Sequence, residues 1–460
     1  MTEASPLVIV GREGAFCICR IDSVQLPLGG IAMPAIIIIG AQWGDEGKGK
    51  IVDHLAERAT MVVRYQGGTN AGHTVVIGDK VLKLHQVPAG ITRPHVAAVL
   101  GNGMVITPPA LVEELDTLES QGFSTRNLHI SANAHVVMPY HLLMDELQEK
   151  ARGAHALGTT KRGIGPAYTD KAARHGLRMQ DIIAAERFAE RLAATLEQVN
   201  PVLTQVYGQR AFTVEEITSQ YAPAAKRLAP FVTDTSLLVN NALKRGENVL
   251  LEGAQATMLD IDFGTYPYVT SSSSSAAGAC SGSGISPVMV KEVVGVVKAY
   301  TSRVGKGPFP TELTDATGDW IVERGWEYGT TTGRRRRCGW IDLVSLCYSA
   351  RINGFTGIAI SRLDVLSGLE EIKLCVGYRL PDGTVTTDYP ADTSILEKVT
   401  AVYEAMPGWQ DGISKARAWD ELPAAARAYC QRISDLLGVP IDMISVGAER
   451  SDLIVLRWPI

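Results

Sequence analysis

Ile36-Ile-Ile-Ile39 followed by Gly40-Ala-Gln-Trp-Gly-Asp-Glu-Gly-Lys-Gly-Lys50 is the stretch on which the fold turns. A run of isoleucines with no polar alternation reads as a strand buried on both faces. Gly40 stops it, glycines follow at 44, 47 and 49, and residues 51–58 read as a helix. Strand, glycine-rich loop and helix together open a doubly wound sheet. Working outward, apolar runs at 61–65, 97–100, 249–251, 293–299 and 357–360 read as further buried strands. Helical patterns cover 109–121, 138–152 and 183–198. The fold class is therefore α/β: a large, mostly parallel central β-sheet flanked by helices, with a P-loop-like phosphate-binding start. Residues 179–247 form an extra helical subregion. Residues 376–387 form a hairpin turning at Pro381-Asp-Gly383. A helix over 421–437 and a strand over 443–446 come near the end. The Ser/Gly-rich stretch 271–285 reads as a mobile loop.

Composition sets the outer limits. The chain has 460 residues, a hydrophobic fraction of 46% and a charged fraction of 20%, ordinary values for a globular protein. A net charge of −5 gives no global attraction to nucleic acid or to an anionic membrane, so anion binding must be local. Cysteines stand at 17, 19, 280, 338, 347, 375 and 430, without a CxxC or zinc-type spacing. They read as reduced thiols of a cytoplasmic protein. Cys338, beside an arginine run, is the one candidate for a lowered pKa. No apolar run approaches the roughly 20 residues of a membrane span. Residues 1–32 lack a basic n-region and read as an extension outside the fold, with Met33 as the natural start and residues 33–460 as one catalytic domain.

The loop after the first strand carries chemistry of its own. Backbone N–H groups at a helix N-terminus cradle phosphate. A standard P-loop has four residues between its glycines and Ser or Thr after the lysine. Here Gly49 follows Lys48, so the Mg²⁺-holding hydroxyl is missing and a carboxylate, Asp45, stands inside the loop instead. A second polar motif, Gln66-Gly-Gly-Thr-Asn-Ala-Gly-His73-Thr74, reads as a flexible loop presenting a histidine for proton donation near neutral pH.

Together these motifs identify a resemblance to the adenylosuccinate synthetase family. It continues collinearly from about Pro34 to Arg450. It runs through Gly158-Thr-Thr-Lys-Arg-Gly-Ile-Gly-Pro-Ala-Tyr168, Glu252-Gly-Ala-Gln255, Asp260-Ile-Asp262, Gly264-Thr-Tyr-Pro-Tyr-Val-Thr-Ser-Ser272, Gly307-Pro-Phe-Pro-Thr-Glu312 and Thr331-Thr-Gly-Arg-Arg-Arg-Arg337. The resemblance implies GTP-dependent ligation of L-aspartate to IMP through 6-phosphoryl-IMP, giving adenylosuccinate, GDP and phosphate. Asp45, Lys48, His73 and Gln255 are the implied catalytic residues. Asp45 and the Gly72 carbonyl are the implied Mg²⁺ ligands.

The same carry-over assigns IMP to Asp45, Asn70, Thr160, Gln255, Thr270 and Arg334. Arg174 reaches the nucleotide of a neighbouring subunit, implying a homodimer. Aspartate falls to Val304, Thr332, Arg334 and Arg336; in an extended loop, alternate residues Arg334 and Arg336 point together. Bidentate guanidinium groups suit its carboxylates. GTP falls to Gly44, Glu46, Gly47, Lys48, Gly49, Lys50, Gly72, His73, Thr74 and Arg336, with Arg362, Asp364, Ser445 and Gly447 at the base. A carboxylate at Asp364 accepts from guanine N1 and N2, which adenine cannot match.

The chain resembles a divergent member. Arg362 replaces the family's usual lysine, and Thr69, Ala256 and Phe263 depart from common residues. Val446-Gly-Ala-Glu-Arg450 replaces Thr-Gly-Pro-x-Arg. Three other readings compete: a GTPase switch, which needs the missing hydroxyl; a paralogue ligating another amine; and a nucleic-acid binder, which the net acidity disfavours.

Overall fold

The computed structural model describes residues 35–78, 80–329 and 333–460. The extension over 1–32 and the aspartate-site candidate Thr332 lie outside the described residues. Strand β1 (Ala35–Gly40) is buried along its whole length. Its alternate side chains explain why: Ile37 and Ile39 enter one hydrophobic core, while Ile36 and Ile38 enter the other. A strand with cores on both faces cannot alternate apolar with polar residues, hence the isoleucine run.

Nine further strands complete the sheet: β2 (Met61–Arg64), β3 (Ala97–Leu100), β4 (Leu128–Ser131), β5 (Val232–Thr233), β6 (Val249–Glu252), β7 (Val290–Lys298), β8 (Gly357–Ser361), β9 (Ile441–Ser445) and β10 (Leu453–Val455). The spatial order is β10-β9-β8-β7-β1-β6-β2-β3-β4-β5. All pairings are parallel except β9 with β10. The chain returns to β6 and β7 on either side of β1, so connections diverge above β1. Ligands of open parallel sheets bind in the crevice at that switch point, beyond the C-terminal strand ends. The ends of β1, β2, β6, β8 and β9 carry the motifs singled out from sequence.

Helix Lys48–Leu55, extended by a 3-10 turn over Ala56–Arg58, follows β1 as expected. Residues 179–247 are largely helical, with only the short edge strand β5 among them. The hairpin belongs to a separate small sheet, in which Glu371–Arg379 pairs with both Val385–Thr386 and Thr400–Pro407.

The stretch 271–285 is not a mobile loop. Residues Ala276–Ser283 form a helix, and Ser272, Ser274, Ser275 and Ser283 are buried. Asp260 accepts hydrogen bonds from Ser275 N (2.9 Å) and Ser273 Oγ (3.1 Å), and Ser274 Oγ donates to Ala256 O (2.7 Å). A Cβ at Gly282 would collide with the Tyr65 carbonyl. The small residues serve close packing, which composition alone cannot distinguish from flexibility.

Candidate active site

The loop between β1 and its helix is built on left-handed backbone. Gly44, Asp45 and Gly47 have φ of 92°, 59° and 83°. A Cβ at Gly40 would meet Glu46 Oε2, Gln255 O and Ala256 Cβ, so the loop closes tightly against the residues after β6. The Glu46 carboxylate is fully buried inside it. Oε1 accepts from Gln42 N (3.1 Å) and Gly44 N (2.8 Å), and Oε2 pairs with Lys48 Nζ at 2.6 Å. Gly49 abuts the His73 Cβ at 3.1 Å from a Cβ position, bringing the first and second motifs together.

His73 sits in no flexible loop. It opens a hairpin strand, His73–Ile77, paired with Lys80–Leu84, and is 7% exposed. Nδ1 contacts Oε1 of fully buried Glu252, the last residue of β6. Glu252 Oε2 accepts from Ala89 N (2.9 Å), and the buried Arg64 guanidinium at the end of β2 lies 3.9 Å away. Burial lowers the His73 pKa and outweighs the pull of Glu252. The decisive partner, Glu252 on β6, lies 179 residues away and leaves no local trace in a glycine-rich segment.

Several buried polar atoms near the loop lack a hydrogen-bond partner among the described residues. Both amide atoms of Gln255 are shielded from solvent and lack a hydrogen bond, and its φ is 54°. Its Oε1 lies 3.3 Å from the Cβ position of Gly67, at the start of the second motif. Thr270 Oγ1 is likewise unpartnered. Asn70 is half-buried and accepts from Gly68 N (3.1 Å). Thr160 and Arg174 are exposed, Arg174 at φ 69° on the C-terminal cap of helix Ile164–Ala173. No contact within the described chain brings Arg174 to the other candidates.

Arg336 is 6% exposed and reaches the loop: Nε lies 2.7 Å from Asp45 Oδ2. Nη1 donates to Glu327 Oε2 at 2.8 Å. Arg334 instead stays exposed, so the two arginines do not share one environment. The run folds back on residues 327–329, with Arg336 N donating to Glu327 O and Gly329 N to Arg334 O, both at 2.8 Å. Buried Glu327 selects Arg336 alone. Val304 is exposed at the end of the short strand Thr301–Arg303. Cys338 is not activated: burial pushes its thiol up to about 12.

At the far side of the loop, Ser361 Oγ at the end of β8 donates to Glu46 O (2.6 Å). Asp364 Oδ1 is buried and unpartnered, and burial raises its pKa. Arg362 adopts φ 61° and donates from Nη1 to Gly325 O (3.0 Å). Lys50 joins helix and base-site candidates, donating to Ser445 Oγ (2.8 Å), Gly447 O (2.9 Å) and Asp452 O (2.9 Å). Burial lowers Lys50 to about 8. Thr74 is exposed on its strand, next to half-buried Gly72.

Three buried residues at the site escape sequence reasoning: Arg64, Glu252 and Glu327. Glu252 stood in a quoted motif and could have been suspected as a buried acid ending an apolar strand. Arg64 and Glu327 carry no comparable signal.

For a divalent cation, the donor set is one carboxylate, Asp45, 34% exposed on the loop, and one carbonyl, Gly72. Among the described residues no group of three His, Cys, Asp or Glu is placed to hold a metal. Mg²⁺ fits such a set, since it is usually held by one or two protein oxygens together with substrate phosphates and water.

An adenylosuccinate synthetase family model matches residues 37–454. The adenylosuccinate synthetase of Carboxydothermus hydrogenoformans is 53% identical over 424 residues, covering 92% of this chain and 99% of that protein. That of Moorella thermoacetica is 52% identical over 427 residues, covering 93% and 100%. The fully ligated adenylosuccinate synthetase from Plasmodium falciparum superposes with a TM-score of 0.86 at 41% identity, covering 91% of this chain and 99% of that one. A cyanophage succinoaminodeoxyadenylate synthetase, 20% identical with a TM-score of 0.57 over 92% and 95% of the two chains, shares the fold alone. With its orphaned amide, its acid-bearing phosphate loop and this similarity over nearly the whole length, the chain belongs to the adenylosuccinate synthetase family, the ligases that join L-aspartate to IMP with GTP in purine biosynthesis.

Proposed function

We propose that the site works in two steps, with the residues of the β1 loop acting in both. Asp45 takes the N1 proton of IMP, leaving negative charge on O6. O6 attacks the γ-phosphorus of GTP, the bond to the β–γ bridging oxygen breaks, and GDP leaves. The amine of aspartate then attacks C6. The C–N bond forms, the C6–O6 bond breaks, phosphate departs, and the amine sheds a proton to solvent. Asp45 and the Gly72 carbonyl would hold Mg²⁺, which when bound would offset phosphate charge. Lys48 and the loop amides bind the phosphates, and His73 donates to a phosphoryl oxygen.

Gln255, Asn70, Thr160, Thr270 and Arg334 hold IMP in this reading, with Arg174 contributed across a homodimer. Thr332, Val304, Arg334 and Arg336 hold aspartate. Arg362, Asp364, Ser445 and Gly447 hold guanine. The protein acts in the cytoplasm, and residues 33–460 act as a single catalytic domain. No described helix is long and apolar enough to cross a membrane.

The observation that supports the reading best is the buried, unpartnered amide of Gln255 beside Gly67. A buried amide without partners costs about 1–3 kcal/mol, which a purine edge would relieve. The test is one mixture of protein, Mg²⁺, GTP, IMP and aspartate, monitored for adenylosuccinate. Product should require every component. Product at the wild-type rate from Asp45→Asn overturns the assignment of the base.

A further inference from the structure

Glu327 lies outside every motif, yet it is fully buried and gathers three donors. It accepts from Lys298 Nζ (2.8 Å) and Tyr300 OH (2.5 Å) on Oε1, and from Arg336 Nη1 (2.8 Å) on Oε2. Burial alone would raise its pKa, but Lys298 and Arg336 outweigh it and hold the carboxyl at about 2. Lys298, 1% exposed at the end of β7, is tied by Ser302 Oγ (2.5 Å) as well. Two cations against one anion leave this buried cluster one positive charge in excess. Asp45 compensates it, forming an ion pair with Arg336. Its Oδ2 is 2.7 Å from Arg336 Nε. The guanidinium is thus gripped at Nη1 by Glu327 and held beside the reactive loop, where Nε is ion-paired with Asp45.

We infer that Glu327 is the positioning residue for the amino-acid substrate: with Lys298 and Tyr300 it fixes Arg336 so that its guanidinium meets a substrate carboxylate. This rests on the assignment of Arg336 to aspartate. A long arginine side chain held at one end loses less rotamer freedom on binding, and a buried charge-assisted bond to a carboxylate is about twice as strong as a neutral one. The fixed plane selects a carboxylate in one orientation.

The test uses the full chain with aspartate varied at saturating IMP and GTP. Glu327→Gln and the shorter-armed Glu327→Asp should each raise KM for aspartate about tenfold or more, while KM for IMP stays within about twofold. Lys298→Met/Glu327→Gln removes the buried cation left unpaired, so it should regain thermal stability while keeping the high KM. Unchanged KM for aspartate in Glu327→Asp overturns the inference. So does a double variant that recovers stability and KM together, which would mark Glu327 as structural only. Arg336→Lys separates the two levels. If it leaves KM for aspartate unchanged, the assignment of Arg336 fails. If it raises KM while the Glu327 variants do not, only the role of Glu327 fails.

Discussion

The Lys48 ammonium lies 2.6 Å from the Glu46 carboxylate two residues earlier, and both are almost wholly buried. Glu46 thereby fills, from inside, the hole formed by Gln42 N–H, Gly44 N–H and Lys48. In the proposed mechanism, phosphate would engage the remaining ammonium protons of a lysine whose position is already set. Lys48→Met should lower kcat by about 100-fold or more. It should also destabilise the fold by about 3 kcal/mol, since Glu46 loses its buried partner. Glu46→Gln/Lys48→Met should recover stability in urea titrations without recovering adenylosuccinate formation.

Glu252 orients His73 by accepting at Nδ1 and balances Arg64, whose guanidinium nitrogens lack hydrogen-bond partners. Glu252→Gln keeps the shape and removes the charge. Turnover should fall at least about tenfold with little change in KM for IMP. Unfolding should cost about 3 kcal/mol less, because a buried cation is left uncompensated. Steady-state kinetics with denaturant titration checks both halves.

Asp364 presents a buried acceptor with no hydrogen-bond partner among the described residues. Asp364→Asn supplies a donor where guanine N1–H and N2–H need acceptors. The ratio of kcat/KM for GTP over ITP should drop by about tenfold or more, measured with the two nucleotides side by side.

Asp342 caps helix Leu343–Asn353 by accepting from Ser345 N (3.2 Å), and its other oxygen contacts Tyr378 OH. Burial raises its pKa to about 6, against about 4 in the unfolded chain. Between those values the native state binds the extra proton. Stability is therefore greatest below about pH 4 for this group and falls as pH rises through 6, by up to about 3 kcal/mol. Asp342→Asn should flatten that part of the profile in thermal melts from pH 4 to 7.

Arg174 extends from a left-handed cap into solvent within one chain. If it completes a partner's site, Arg174→Leu and Asp45→Asn should each be inactive as pure proteins. Mixing them after reversible dissociation should restore roughly a quarter of wild-type activity, from subunit pairs holding one intact composite site. No recovery on mixing removes the shared site.

The sheet was legible because its signals are local. β1, β3, β6 and β8 are apolar runs that parallel packing requires, and glycines at 44 and 47 mark backbone that other residues rarely adopt. The serine-rich helix and the strand Thr400–Pro407 were not legible. The first depends on Asp260 and Tyr65, and the second alternates only weakly and is held by Glu371–Arg379. The setting of His73 was not legible, since glycine-rich neighbours look the same around a loop and around a strand packed on distant groups.

Residue identity by itself determined the strand–loop–helix start, the acid placed among the loop glycines, and the order of motifs that names the family. Those are properties of short segments, where steric and hydrogen-bonding preferences act over a few residues. Tertiary structure alone decided which distant charges meet: Arg336 with Asp45, and His73 with Glu252. Electrostatic pairing depends on distance through space and on exclusion of water. Both are set only when strands far apart in the chain become neighbours in one sheet.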